Sequence, residues 1–270
     1  MATTSIRMGG SNVAIGRVFE RAFATIGHNL PVAIGFALLF GALPATALTW
    51  AASVVRQNAF SGSTFSTVYI VGVYVTMISS WILGWAVSAL VQGVLTRATV
   101  AESEGRRASA GECIRATLPV LLPLLGLSIL LAIGVAIGFI LLIVPGVMLY
   151  LAWSVAAPAL VEERRGVRAA FRRSWELTKG ARWQVFAIVL VLYILYYLIS
   201  GVFSILSFWI IGTSGIASFQ DQFSFGFLML NLVSGLIINL LWGAVQASLY
   251  VELRDWKDGP SVQNLEDVFA

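Results

Sequence analysis

The chain has 270 residues, of which 59% are hydrophobic and only 11% carry a charge. Because soluble globular domains carry about 25% charged residues, this composition excludes a soluble protein and predicts an all-α integral membrane protein. The single cysteine, Cys113, excludes an internal disulfide and a Cys-rich metal site. We interpret Cys113 as a small residue on a surface helix, with palmitoylation as the alternative.

The two ends of the chain differ from its middle in composition. Residues 1–12 are small and polar, and no apolar run follows Arg7, so we predict a disordered tail there and no cleavable signal peptide. Residues 260–270 are predicted to form a cytoplasmic tail. The remaining segment, 13–259, is predicted to form a single membrane domain.

Long windows without charged residues predict six membrane-spanning helices. A helix needs about 20 apolar residues to cross ~30 Å of hydrocarbon, and the window 116–161 is too long for one crossing. Proline removes a helical hydrogen bond and glycine tolerates a tight turn, so Pro145 and Gly146 predict a break inside that window. The spans are placed near residues 30–54, 68–96, 119–142, 146–162, 183–210 and 226–251.

The basic residues predict the orientation of these spans. Of the 17 lysines and arginines, only Arg56 lies in a predicted outer connection. Lys and Arg accumulate in cytoplasmic loops, so both termini are predicted to be cytoplasmic. With an odd number of spans, the basic connections would no longer all lie on the same side of the membrane. The charge distribution therefore supports the count of six.

Amphipathic segments lie on the predicted cytoplasmic side. Val167, Phe171 and Trp175 recur at i, i+4 and i+8, which predicts an interfacial helix with its cations toward the headgroups. Similar stripes occur near Phe19 and, more weakly, near Ile114. They predict that each pair of spans is preceded by one such helix.

The same segments predict an internal repeat. Phe19-x-Arg21-x-Phe23 matches Phe171-x-Arg173-x-Trp175 at a spacing of 152, and Val91-Gln92 matches Val245-Gln246 at a spacing of 154. The repeated unit would be an interfacial helix followed by two spans, present three times. Two-span hairpins also resemble one another by composition alone.

A basic cluster between the fourth and fifth spans is the first candidate site. Near an anionic leaflet each cation contributes up to about 1 kcal/mol, so anionic lipid is the predicted partner. Topology alone would also produce the cluster, and a partner membrane protein or a second copy remains an alternative. Nucleic acid is excluded, because binding it would need a soluble basic surface. The predicted headgroup contacts are Arg164, Arg165, Arg172, Arg173 and Lys179, with Trp175 and Trp183 as interfacial anchors.

A weakly polar seam on the sixth span is the second candidate site. Asn231, Asn239 and Gln246 recur along this span, and Gln92 is the repeat partner of Gln246. The seam predicts either a cavity of a permease or lipid-translocating protein, or hydrogen bonds between packed helices. Apart from Glu162, the last residue of the fourth span, no Asp, Glu, Lys or Arg lies within a predicted span, which argues against an ion-coupled transporter.

The sequence offers few candidates for catalytic residues. His28 is the only histidine, and no nucleophile motif, phosphate-binding loop, metal-ligand cluster or suitably spaced carboxylate pair occurs. Glu162 and Glu163 lie beside arginines and are predicted to form juxtamembrane ion pairs. Gly134 and Gly138 are predicted to pack helices within the chain. The sequence therefore predicts a protein that is not an enzyme and needs no cofactor or metal.

One set of short motifs comprises Val144-Pro145-Gly146, Trp153, Pro158, Glu162, Gly166, Ala170, Arg173-Ser174-Trp175, Lys179-Gly180, Trp183, Leu249-Tyr250-Val251-Glu252-Leu253-Arg254 and Gly259. These motifs resemble the glycerophosphoryl diester phosphodiesterase membrane-domain family of six-span bacterial inner-membrane proteins. The resemblance implies the bacterial cytoplasmic membrane. It does not imply phosphodiesterase activity, because the catalytic (β/α)₈ barrel needs about 250 residues of its own.

Overall fold

The computed structural model describes residues 13–36, 67–104, 109–212 and 225–259. Across these ranges the chain is helical and forms no strand. Several predictions lie outside the described residues: both tails, most of the first span, and the side chains of His28 and Asn231.

Within residues 109–212, which the structure describes without a gap, the helices follow one another with short connections. The 3-10 turn Leu118–Val120 connects the helix that ends at Thr117 to the helix that begins at Leu121. In chain order the helices are α1 (Ile15–Phe36), α2 (Thr67–Ser103), α3 (Ala110–Thr117), α4 (Leu121–Leu141), α5 (Ile143–Ala152), α6 (Ala156–Glu163), α7 (Val167–Thr178), α8 (Arg182–Gly212) and α9 (Phe225–Asp258).

Within the described residues, four segments are long and apolar enough to cross a membrane. They are Gly111–Leu141, Ile143–Glu163, Arg182–Trp209 and Leu232–Asp258, and they coincide with the predicted third to sixth spans. Helix α2, with 37 residues, covers the predicted second span. The α-helical membrane class is therefore confirmed, while the count of six spans stays a prediction.

The hairpin between α4 and α5 turns at a different residue from the one predicted. The helix is interrupted at Leu142, whose backbone is extended with φ −167° and ψ 151°. Pro145 lies in the first turn of α5, where N–H groups have no helical partner and proline is therefore tolerated. The predicted break inside this window is therefore confirmed, but it lies at Leu142, three residues before the predicted position, and Pro145 belongs to the first turn of the helix that follows.

Small residues allow α4 and α5 to approach closely. A Cβ atom built on Gly138 would lie 2.9 Å from the Cα atom of Gly146, and one built on Gly134 would lie 2.5 Å from the ring of Trp153. Such contacts are typical of membrane helices, where apolar burial alone gives no drive to associate. Both glycines therefore pack helices within the chain, as predicted.

The predicted fourth span is not one straight helix. Between α5 and α6 the chain forms a turn at residues 153–155, in which the Ala156 N–H donates to the Trp153 carbonyl (3.1 Å). The Ala152 carbonyl would be the acceptor for Ala156 in an uninterrupted α-helix. This turn therefore leaves a buried carbonyl that must be satisfied from elsewhere.

Helix α3 forms where its weak amphipathic pattern predicted it. The Ser109 Oγ atom accepts the N–H of Glu112 (3.2 Å) and so caps the helix. Cys113 is buried and packs with Val94 and Ala98 of α2. Burial of the thiol favours the packing interpretation of Cys113 over palmitoylation.

The core lies toward one end of the helices. Leu95, Leu177 and Tyr250 are fully buried at this end, among α2, α7 and α9. At the hairpin tip between α4 and α5 the apolar side chains point outward instead, with Ile140 83% exposed. Apolar side chains that point outward are expected where a membrane protein faces lipid acyl chains.

Ion pairs join helices at the end that holds the core. Helix α3 pairs with α2, helix α7 pairs with α6, and helix α1 pairs with α9. Since α1 and α9 are the first and last described helices, the pairing connects the two ends of the fold. The pairs are Arg97–Glu112 (3.3 Å), Arg173–Glu163 (2.7 Å) and Arg17–Glu252 (2.6 Å).

Candidate lipid-contact site

Helix α7 is positioned by a three-residue link after α6. Arg164 ends α6 in the left-handed conformation (φ 51°), with its N–H donating to the Leu160 carbonyl (3.1 Å). Gly166 follows with φ 86°, a region that only glycine adopts without strain. The link thus reverses the chain and lays α7 against α6.

The inner side of α7 satisfies the carbonyl left free at the turn between α5 and α6. The Ser174 Oγ atom donates to the Ala152 carbonyl at 2.8 Å, and Thr178 Oγ1 reaches the same oxygen at 3.4 Å. Both side chains are buried. The broken span and the helix that follows it therefore depend on each other.

Replacing Ser174 with alanine should lower the free energy of unfolding by about 1–2 kcal/mol, because a buried carbonyl loses its shorter hydrogen bond. Thermal unfolding in mild detergent measures this change. Ser128→Ala is the matched control, since Ser128 Oγ bonds only within its own helix, to the Leu124 carbonyl (2.9 Å). Equal effects of the two substitutions would contradict the role assigned to Ser174.

The outer side of α7 and its flanks carry exposed cations. Arg165, Arg168, Arg172 and Lys179 are exposed. Arg172, 78% exposed, has Glu176 at 3.8 Å, and an exposed pair of this kind contributes little to stability. Arg165, Arg172 and Lys179 are thus exposed, as Arg168 is, and their contact with headgroups stays a prediction.

Arg173 lies on a different side of α7 from these cations. Its Nε atom donates to Glu163 at 2.7 Å, and its Nη2 atom contacts Asp258 at the end of α9. Partial burial disfavours the charged guanidinium, but the hydrogen bonds to Asp258 and Glu163 outweigh it and raise the pKa of Arg173 above its ordinary value. Arg173 therefore joins three helices.

Arg164 divides its contacts between the protein and its surroundings. The residue is exposed in the link, and its Nη2 atom donates to the Ala116 carbonyl (3.3 Å) near the end of α3. A cation at a helix C-terminus is stabilised by the partial negative charge there. This contact places α3 beside the basic link.

Trp175 and Trp183 flank a cation that the sequence analysis did not select. The Arg182 guanidinium lies 4.6 Å from the centroid of the Trp175 ring, a cation–π contact. Trp183 is 81% exposed and packs edge-on against Phe186. The neighbouring tryptophans in the sequence were the available signal for Arg182, since aromatic residues gather at the membrane interface.

The predicted ion pairs of Glu162 and Glu163 are confirmed. Glu162 accepts from Arg97 of α2 at 3.0 Å, and Glu163 accepts from Arg173. Arg97 also reaches Glu112 of α3. These carboxylates therefore hold helix ends together.

The structure brings the predicted polar seam to the contact between α2 and α9. Gln92 donates to Gln246 across this contact, and Ser88 donates to Asn239 at 2.9 Å. Asn239 also donates to the Gly235 carbonyl one turn earlier. The bonds of Gln92 and Ser88 join two packed helices, as the second interpretation of the seam predicts.

Comparison with known proteins gives one family. A model of an uncharacterised protein family, UPF0259, matches residues 56–241. A UPF0259 membrane protein of Pectobacterium carotovorum subsp. carotovorum (strain PC1) is 33% identical over 109 residues, 40% of this chain and 40% of that protein. A UPF0259 membrane protein of Yersinia pestis (strain Pestoides F) is 38% identical over 88 residues, 33% of this chain and 34% of that protein. The matches thus span less than half of each relative. No solved structure matches the chain significantly.

The resemblance to the glycerophosphoryl diester phosphodiesterase membrane-domain family is wrong. The UPF0259 match covers the residues from Val144 to Trp183 on which most of that resemblance rested. Tryptophan and arginine at helix ends recur in membrane proteins because of the interface itself. Motifs of that kind could not separate one membrane family from another.

Proposed function

This chain belongs to the uncharacterised protein family UPF0259, and from that premise we propose that it is a non-catalytic membrane protein that holds anionic lipid. The contact surface is the exposed side of α7 with its flanks, defined by Arg165, Arg168, Arg172 and Lys179. The two relatives described above are themselves named membrane proteins of this family. The bilayer leaflet concerned is the cytoplasmic one, where anionic headgroups attract basic segments.

One observation carries the proposal: the exposed cations are close in sequence to exposed tryptophans, while other cations in this region form shorter and less exposed ion pairs with carboxylates. Arg97 and Arg173 form short ion pairs within the protein. Arg172 and Lys179 remain exposed, close in sequence to Trp175 and Trp183. Tryptophan locates at the headgroup level, so the neighbouring cations are available to phosphate groups there.

The proposal includes six crossings of the bacterial cytoplasmic membrane with both termini inside. The ion pairs near the start of α1 and the ends of α2, α6 and α9 gather at one end of the fold. This clustering supports three pairs of spans, each of which begins and ends on the same side of the membrane. Helix α2 extends about 55 Å at 1.5 Å per residue, enough for one crossing.

The threefold repeat is likewise part of the proposal. Helix α3 packs on α2, helix α7 packs on α6, and helix α1 packs on α9. The predicted repeat partners Gln92 and Gln246 also contact each other. Both arrangements favour three related units about an axis along the membrane normal.

Removing two exposed cations should weaken anionic lipid binding. Since each contributes up to about 1 kcal/mol, the double variant Arg172→Gln/Lys179→Gln is expected to bind phosphatidylglycerol up to about 30-fold more weakly. The phosphatidylglycerol retained by the variant and by the wild type after gentle extraction is compared by mass spectrometry.

The matched control is Arg115→Gln/Lys257→Gln, which removes two exposed cations outside the contact surface. Its lipid content should stay closer to that of the wild type. Equal losses in both variants would contradict a surface on α7. Unchanged lipid in the first variant would contradict lipid contact altogether.

We do not adopt the permease alternative. Gln92, Gln246 and Asn239 bond within and between α2 and α9, so their polarity is accounted for by packing. No observation on the described residues favours a path through this seam.

A further inference from the structure

A groove of about 500 Å³ runs between α5 and α8 on the outer surface of the fold. One wall is formed by successive turns of α5, including Val144, Val147 and Met148. The other is formed by the start of α8, where Trp183 and Phe186 lie. Its volume lies within the range of small-molecule sites, and its walls are almost entirely apolar.

Arg182 is the single charged residue among those that line the groove. Its Nε atom is buried and has no hydrogen-bond partner in the described part of the chain. Stacking on the Trp175 ring at 4.6 Å holds the guanidinium in place without using its N–H groups. An arginine so held is prepared for a phosphate, which accepts its hydrogen bonds in a fork geometry.

We propose that this groove binds one anionic phospholipid, with an acyl chain between α5 and α8 and the phosphate on Arg182. The apolar walls match the chain, and the lone cation matches the charge of the headgroup. The inference goes beyond the contact surface of α7, because it assigns a discrete site with a stoichiometry of one. It does not depend on Arg172 or Lys179.

The shape of the chain near Arg182 supports the assignment. Gly180, which also lines the groove, has φ 96°, and a Cβ atom there would lie 3.2 Å from the Trp256 ring. Glycine thus lets the chain turn sharply from α7 into α8 beside α9. This turn places Arg182 and Trp183 at the start of α8, at the entrance of the groove.

The test is native mass spectrometry of the full chain in neutral detergent, titrated separately with phosphatidylglycerol and phosphatidylcholine. The wild type should bind one phosphatidylglycerol at least tenfold more tightly than phosphatidylcholine. Arg182→Gln should abolish this preference, and Arg182→Lys should keep part of it. Arg115→Gln, the matched control, removes an exposed cation that belongs neither to the groove nor to the contact surface of α7, and it should bind the single lipid as the wild type does.

A second variant tests the apolar part of the groove. Val144 is exposed at the groove wall, so Val144→Trp fills space without entering the core, and it should reduce affinity for both lipids by about tenfold. No lipid preference in the wild type, or unchanged binding in both Arg182→Gln and Val144→Trp, would overturn the proposal. If only Arg172→Gln/Lys179→Gln lost phosphatidylglycerol binding, the groove proposal would be overturned and the contact surface of α7 supported. If only Arg182→Gln lost this binding, the contact surface of α7 would be overturned and the groove supported.

Discussion

Replacing Arg173 with leucine is expected to lower the free energy of unfolding by about 2–3 kcal/mol. Breaking a fully buried ion pair costs ~3–5 kcal/mol because one charge is left unpaired, and the side chain of Arg173 is 23% exposed. Glu163 and Asp258 would both lose their cation. The change is measured as a fall in the thermal unfolding midpoint in mild detergent.

The neighbouring Arg172 provides a matched control. Its only described ion pair is with Glu176, at 3.8 Å and exposed, so Arg172→Leu should change stability by less than about 0.5 kcal/mol. Arg173→Lys keeps the charge but not the fork that reaches two carboxylates, and should recover part of the loss. If Arg173→Leu and Arg172→Leu unfolded at the same temperature, the junction of α6, α7 and α9 would not depend on Arg173.

The sequence was sufficient to place most helices because their apolar runs are long. The predicted spans 119–142 and 183–210 differ from α4 and α8 by only a few residues at each end. Such runs have little alternative to helix in a bilayer, where each backbone polar group must be bonded within the segment. Helix α7 was predicted equally well from the spacing of Val167, Phe171 and Trp175.

Features that depend on contacts between helices could not be predicted. The break at Leu142 has no local signal stronger than Pro145, which is tolerated at a helix start as well as at a helix end. The turn at residues 153–155 depends on Ser174, a residue distant in sequence that accommodates the free carbonyl. A pattern read along one helix does not contain this information.

The candidate site, too, could be predicted only in part from the sequence. The sequence identified a basic cluster but could not separate the bridging Arg173 from the exposed Arg172, which differ by one position on the helix. A rotation of about 100° per residue directs one toward α6 and α9 and the other outward. Arg182 was missed because its contact with Trp175 joins two helices.

Replacing Gly146 with alanine is expected to destabilise the α4–α5 hairpin by about 1–3 kcal/mol, the usual cost of overpacking. A Cβ atom at this position would lie 2.8 Å from the backbone nitrogen of Phe139, so the two helices must separate. Backbone cannot be moved aside as the end of a flexible side chain can. The loss is measured by thermal unfolding of the full chain in mild detergent.

Gly126 in α4 is the control, because a Cβ atom there meets nothing within 4 Å. Alanine has the higher helix propensity, so Gly126→Ala should leave stability unchanged or raise it by up to about 1 kcal/mol. Opposite signs for the two substitutions would show that close approach, rather than glycine content, holds this hairpin. Equal effects would contradict the packing of Gly138 against Gly146. Because α5 also forms one wall of the groove, separation of α4 and α5 should weaken lipid binding there without any change to Arg182.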